Sequence, residues 1–339
     1  MRNIFKFCLI IFILILFTNC LPKNVKVKTW ERRYLIEDIG QAYSIQQTND
    51  GGYIVAGVKY YTGGTNGDVY IIKLDGDGNT EWNRIYGGKG WDRANSIQQT
   101  DDGGYIVAGE TGSLGAGLWD VYILKLDVNG NKEWEKTYGG KQNDEAYSIQ
   151  QTYDGGYIVA GYTKSFGEGE EEAYIIKLDR NGNKEWEKLY DYEYCPIMSV
   201  KQTKDGGYVA TGWKGGFISI EYNGDVYVIK LDGNGNKEWD RTYDGLGDDG
   251  AYSIQQTNDG GYIVAGATRS YNEAPFNIYI IKLDRNGNKE WERIFKDKHG
   301  EARSIQQTND GGYIVAGSSC FYIIKLDSNG NIDSNNSNN

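Results

Sequence analysis

The sequence predicts an all-β, six-bladed β-propeller with four antiparallel strands per blade, its ring closed by an N-terminal strand that pairs into the C-terminal blade. Three observations carry this expectation. The tract that runs from Ser44 to Gly57 returns from Ser96, Ser148, Ser199, Ser253 and Ser304, at intervals of 52, 52, 51, 54 and 51 residues. A fixed period of that size marks one supersecondary unit, copied so that the copies bury a core only against one another. Each copy holds four short β-favouring runs and no helical spacing sustained over ten or more positions. Finally, the last copy stops after Tyr322 to Asp327, before its Trp-bearing fourth run, while an orphan Trp30-Glu31-Arg32-Arg33-Tyr34 precedes the first. The orphan fills the gap and leaves no blade with a missing outer strand.

The second copy shows the elements in order. Asn95 to Thr100 is a polar alternating run, Tyr105 to Gly109 a β-branched one, Val121 to Asp127 a third, and Glu133 to Tyr138, with Trp134, a fourth. Asp102-Gly103 between the first two runs, and Asn129-Gly130 between the last two, are expected to form tight primed hairpin turns. That turn would set Asp127 opposite Lys132 as a cross-strand ion pair, repeated at Asp179 and Lys184, Asp232 and Lys237, and Asp284 and Lys289. It would also place Lys125 near Trp134, within reach of a cation-π contact. The repeated Trp82, Trp134, Trp186, Trp239 and Trp291 are read as structural anchors, and the Gln and Ser of the first strand as the lining of a polar channel.

Two resemblances rest on these residues. The order of Tyr105-Ile106-Val107-Ala108-Gly109, Val121 to Asp127 and Trp134 resembles a kelch or WD40-like blade in architecture. The repeat Asp-Gly-Gly-Tyr-Ile-Val-Ala-Gly, with Lys-Leu-Asp-x-Asn-Gly-Asn-x-Glu-Trp, resembles bacterial envelope propeller repeats over residues 29–327. That resemblance implies a secreted scaffold and not a reaction.

Residues 1–19 read as a signal peptide: Arg2 and Lys6 flank an apolar run from Phe7 to Phe17, short of the roughly 20 residues that span a bilayer. Phe17-Thr18-Asn19-Cys20 resembles a bacterial lipobox, which implies acylation of Cys20 and an extracytoplasmic protein anchored by lipid to the cell membrane or outer membrane. Phe17 and Asn19 depart from the usual lipobox residues. Residues 20–28 are then a tether, 29–327 the propeller, and 328–339 a Ser- and Asn-rich disordered tail.

Loss of Arg2 and Lys6 takes the formal charge from −11 to −13, which argues against nucleic-acid backbones. Of the cysteines that remain beyond Cys20, Cys195 and Cys320 fall on blades too far apart for a disulfide, so both are expected as free thiols. The chain is taken as a monomer, with no cofactor.

Asp75-Gly76-Asp77-Gly78-Asn79 and its copies look like a calcium loop, but the glycine sits at position four and not at the position six of an EF-hand loop. The hairpin reading explains that motif better. Catalysis finds little support: His299, the single histidine, is read as a surface loop residue and leaves no choice of parts for a Ser-His dyad or a multi-histidine metal site.

Function is expected where the copies disagree. The loops from strand two to three and from strand four to the next blade vary, and in an antiparallel blade all of them emerge on one face. On that face lie Trp91 with Asp92, Trp119 with Asp120, and Trp213. The first two pairs suit stacking on sugar rings and accepting hydroxyl hydrogen bonds, or else fill gaps at the blade end. Asp92, Asp144, Glu145, Asp249 and Glu301, just before the repeated Ser, are candidates for acids at the channel mouth. The run Glu168, Glu170, Glu171, Glu172 is read as a solvated loop. The expected function is a binding or interaction scaffold for a glycan, a cell-wall component or an envelope protein. The alternative is an envelope glycosidase or polysaccharide lyase that uses loop-face carboxylates.

Overall fold

The structure, a computed structural model, describes Tyr34 and residues 39–61, 66–167, 171–190, 194–215, 224–243, 247–269, 276–318 and 322–332. The proposed signal peptide, Cys20, the tether, Trp30, Cys320 and the tail beyond residue 332 lie outside the described residues.

Among the described residues, five antiparallel sheets of four strands and one of three follow one another along the chain, each strand pairing with its sequence neighbour. Blade 1 is β1 (Ile39–Gln47), β2 (Tyr53–Tyr60), β3 (Gly67–Leu74) and β4 (Thr80–Tyr86). Blade 2 is β5 (Asp92–Gln99), β6 (Tyr105–Thr111), β7 (Asp120–Leu126) and β8 (Lys132–Tyr138). Blade 3 is β9 (Asp144–Gln151), β10 (Tyr157–Thr163), β11 (Glu172–Leu178) and β12 (Lys184–Tyr190), and blade 4 is β13 (Ile197–Gln202), β14 (Tyr208–Lys214), β15 (Asp225–Leu231) and β16 (Lys237–Tyr243). Blade 5 is β17 (Asp249–Gln256), β18 (Tyr262–Thr268), β19 (Asn277–Leu283) and β20 (Lys289–His299). Blade 6 is β21 (Ala302–Gln307), β22 (Tyr313–Gly317) and β23 (Tyr322–Leu326). The fold is the six-bladed propeller of the sequence reading. His299 closes β20 opposite Asn277 and is not part of a loop.

The hairpin turns differ from expectation in type. A primed turn needs positive φ at both central residues, but Gly103 (φ 84) and Gly130 (φ 77) stand alone. The chain instead makes a wider turn, with Gly103 N–H donating to Thr100 O at 2.9 Å and Thr100 N–H to Gly104 O at 2.9 Å. In the other turn Asp127 does not face Lys132. Its carboxylate accepts from Asn129 N–H, Asn131 N–H and Asn131 Nδ2, each at 2.8 Å, and so holds its own loop in shape. A register shift beside Lys125 pairs Leu126 with Lys132, and the Lys132 ammonium turns to Glu135.

The repeat signature is an inter-blade joint. Trp134 of β8 packs edge-on against Tyr157 of blade 3, with ring centroids 6.0 Å apart, and the same pairing joins Trp82 to Tyr105, Trp186 to Tyr208, Trp239 to Tyr262 and Trp291 to Tyr313. The indole of Trp134 also lies on the turn glycine Gly182 of blade 3, where a Cβ would come within 2.8 Å of the ring. Lys125 does pair with Trp134 in register, but its ammonium is buried between Asp102 (2.9 Å) and Glu133 (3.0 Å); Lys136 provides the cation over the indole, at 6.0 Å. The second glycine of the Asp-Gly-Gly turn makes room for that ammonium, since a Cβ on Gly104 would sit 2.3 Å from Leu126 O and 2.7 Å from Lys125 Nζ.

Apolar clusters fill five successive seams, from blades 1 and 2 to blades 5 and 6. Cys195, a free thiol, is buried in the seam between blades 3 and 4, which pushes its pKa up. Ile97, Ile149, Ile254 and Ile305 are each at most 5% exposed because each covers the preceding blade. At the seam of the first and last blades, Ile45 and Ile323 are each 63% exposed, and no such cluster forms among the described residues. Tyr34 marks the approach of the chain to that seam. Its hydroxyl donates to Gly78 O at 2.7 Å, as Tyr190 of β12 donates to Gly235 O (2.9 Å) and Tyr243 of β16 to Gly287 O (2.6 Å). Tyr34 therefore occupies the place of the last residue of a fourth strand, while the strand proposed to precede it lies outside the described residues.

Candidate functional site

The variable segments meet at one end of the blades. Gly112 N–H donates to Trp91 O (2.6 Å), Lys164 N–H to Asn143 O (2.8 Å), Arg269 N–H to Asp248 O (2.8 Å) and Ser318 N–H to Glu301 O (2.8 Å), each tying a loop after a second strand to the segment before a first strand.

Several expected site residues turn out to build that end. Asp92 and Asp144 are fully buried and do not open on the channel. Asp92 accepts from Gly88 N–H (2.8 Å), Ser113 Oγ (2.5 Å) and Thr111 Oγ1; Asp144 repeats the set with Gly140 N–H (2.8 Å), Ser165 Oγ (2.6 Å) and Thr163 Oγ1. Asp249, in the same repeat position, is also fully buried. Successive strand residues point to opposite faces, so the acid four residues before Ser turns into the blade. Asp120, also buried, accepts from Ala116 and Gly117 N–H at 3.0 Å each.

Trp91 and Trp119 do not form one stacking platform. The Trp91 ring lies on Tyr60 of blade 1, centroids 5.5 Å apart, whereas the Trp119 indole flanks Gly112 and its carbonyl accepts Asp144 N–H of blade 3 at 2.8 Å. In the acidic run, Glu171 pairs with Lys164 at 3.0 Å and Glu172 is buried, which corrects the expectation that it is solvated.

What faces the mouth is set by a bulge. Each first strand slips register one residue before its repeated Ser, for example between Ala94 and Ser96, and the residue left out of the ladder is Tyr43, Asn95, Tyr147, Met198, Tyr252 or Arg303. A bulge re-aims the unpaired side chain.

Around these positions two polar clusters form. In the first, Arg93 lies over the Tyr43 ring (5.3 Å) with Glu110 at 2.5 Å and Glu145 at 3.6 Å. Asn95 Nδ2 donates to Glu110 (2.7 Å) and to Ala146 O (2.9 Å), while Tyr162 (2.7 Å) and Tyr147 (3.0 Å) donate to Glu145. Burial, and then the charge of Glu145, raise the Glu110 pKa to about 8 despite the opposing Arg93. Burial also holds the Tyr147 hydroxyl well above its ordinary range. In the second cluster Arg303 stacks on Tyr252 at 3.9 Å and pairs with Glu301, and Trp213 meets Tyr252 edge-on at 6.0 Å.

Thus Glu145, Glu301 and Trp213 sit in the mouth clusters. Arg93, Glu110, Tyr147, Tyr252 and Arg303 were not singled out from sequence. For Tyr147, Tyr252 and Arg303 the signal was the column just before the repeated Ser, which reads Tyr, Asn, Tyr, Met, Tyr, Arg beside an otherwise uniform tract; Arg93 and Glu110 lie outside that column and face each other in the β5–β6 ladder. Among the described residues, no group of three or more His, Cys, Asp or Glu side chains is placed to hold a metal ion.

A β-propeller domain of unknown function, DUF5122, matches residues 310–335, a single hairpin's worth of the sixth blade. No curated protein matches. Among solved structures, the WD40 domain of Neurospora crassa Pan2 aligns at 15% identity and a TM-score of 0.56, covering 85% of this chain and 76% of that one. A streptogramin B lyase aligns at 14% and 0.57, covering 88% and 85%, and a protein from Lactobacillus plantarum at 12% and 0.55, covering 86% and 83%. At these identities the likeness shows the propeller and nothing of the activity.

Proposed function

We propose that the chain is a lipid-anchored extracytoplasmic binding scaffold whose loop-face mouth recognises a hydroxyl-rich ligand, a glycan of the cell envelope. The observation that carries this reading is the mouth beside the bulged column, where a repeat otherwise kept uniform for packing brings different polar and aromatic groups together. Arg93 and Arg303 donate while Glu301 accepts, so the mouth mixes both signs of hydrogen bonding, as sugar hydroxyls require and a polyanion does not. Trp213, half-buried against the edge of Tyr252, adds aromatic surface to the second cluster.

Retention of the purified protein on a panel of immobilised polysaccharides tests this. Arg303→Ala should weaken retention at unchanged melting temperature, and Arg93→Lys, which keeps a cation beside the buried Glu110 and Glu145, should weaken it as well; retention equal to wild type in both would overturn the site. The alternative, an envelope glycosidase or polysaccharide lyase, draws support from Glu110, a carboxyl that burial holds in its protonated form near neutral pH and that Arg93 links to a second carboxyl, Glu145, since a pair of carboxyl groups is what such chemistry uses. Cleavage of the same panel that is lost in Glu110→Gln would favour it.

The anchor and the location rest on the sequence of residues 1–20. Fatty-acid labelling in cells should mark wild type and not Cys20→Ser, and label on both would end the lipid assignment.

A further inference from the structure

At the other end of the channel lies a cavity of about 480 Å³ between the first strands of blades 3 to 6. Its wall is built on a repeated rung. The side-chain Oε1 of a Gln two residues after the repeated Ser accepts the N–H of a Gln on the next blade: Gln46 from Gln99 (2.6 Å), Gln98 from Gln151 (2.7 Å), Gln150 from Gln202 (2.7 Å) and Gln255 from Gln307 (2.8 Å). Blade 4 breaks the series, because Lys201 stands where the other five copies have Gln. An ammonium has no lone pair to offer, so Lys201 cannot accept the Gln256 N–H of blade 5.

The substitution leaves donors without acceptors. Lys201 lines the cavity, and among the described residues it has no ion-pair or hydrogen-bond partner. Enclosure pulls its ammonium pKa below the ordinary value. The flanking amides have the same bias: a backbone N–H can only donate, so the Oε1 of Gln150 and of Gln255 is held to the wall and the Nε2 of each is left over. Ser199, Ser253 and Ser304 contribute hydroxyls to the same cavity.

We propose that the channel holds a small hydroxylated carboxylate, with its carboxylate on Lys201 Nζ between the Gln150 and Gln255 amides and its hydroxyls toward the serines. Two lysines line the cavity, Lys201 on the wall and Lys204 on the exposed turn at its rim, so a single cation stands inside it, which suits a monoanion, and the volume falls within the range of small-molecule sites, about 300–1,000 Å³. The acidic chain as a whole, at −11, repels anions, so the attraction has to be local to Lys201.

Gluconate is the probe, with glucose as its uncharged counterpart, measured by titration calorimetry on the purified protein. Wild type should bind gluconate and not glucose. Lys201→Gln, which restores the residue of the other five copies and the missing rung, should keep or raise the melting temperature while weakening gluconate at least tenfold, about 1.4 kcal/mol. Absence of gluconate binding by wild type, or equal binding by Lys201→Gln, overturns the proposal.

Discussion

Replacing Glu110 by glutamine should remove a pH dependence of stability that the wild type carries between about pH 4.5 and pH 8. The Glu110 side chain is fully buried, with Arg93 at 2.5 Å and Glu145 on the far side of that guanidinium. Its pKa stands at about 8 in the fold, against an ordinary 4.5, because burial and the Glu145 charge together outweigh Arg93. Across that window the folded state holds a proton that the unfolded state has released, so stability falls as pH rises. The full difference corresponds to an upper bound of about 5 kcal/mol. Relaxation and water around the partly open Arg93 reduce the expected fall to about 2 kcal/mol. Urea unfolding of wild type and Glu110→Gln at pH 5, 6, 7 and 8 reads it directly. The variant should match wild type within about 1 kcal/mol at pH 5 and gain on it steadily to pH 8. If the variant is instead less stable by the same amount at every pH, an ionised Glu110 paired with Arg93 is the stabilising state and the reasoning fails.

Three further outcomes follow from the packing. Gly104→Ala should cost about 2–4 kcal/mol in urea unfolding because the new methyl meets a sheet carbonyl at 2.3 Å, whereas Gly103→Ala, with open space around it but φ 84, should cost only about 1 kcal/mol; equal losses would remove the steric account. Trp134→Ala should destabilise by about 3–5 kcal/mol through loss of the contacts with Tyr157 and Gly182, and a loss below 1 kcal/mol would mean that the joint is not a structural anchor. In acid, Asp154 and Asp259, each lowered to about 2 by hydrogen bonds and a buried lysine, contribute stability that is present above about pH 4 and lost as pH falls toward 2. The acid midpoint should therefore shift upward in Asp154→Asn, and an unchanged midpoint would show that the lysine joint carries no linkage.

Much of the frame was legible in the sequence, because a repeat converts local chemistry into global architecture. The spacing of Ser44, Ser96 and their copies gave the blade count, and the Asp-Gly-Gly and Asn-Gly runs gave the hairpins. The turn type escaped, since Asp102-Gly103 reads as a primed pair while only Gly103 takes positive φ. The candidate site was half legible. Glu145, Glu301 and Trp213 were in view, but Asp144 and Asp249 were placed on the wrong face, because one residue of register decides whether an acid meets the channel or the blade interior.

By itself the sequence determined the propeller and its repeated frame, and it set the expectation that departures from the repeat mark the site. Tertiary structure decided where those departures lie. The bulge before each Ser sends Tyr43, Tyr147, Tyr252 and Arg303 into the mouth, and a bulge is a property of the pairing between strands that no single strand reveals. Lys201 reads in sequence as one substitution in a glutamine column. Only when residues some fifty apart in the chain stand side by side across the blades does it become a donor facing donors, because hydrogen-bond valence is satisfied in space and not along the chain.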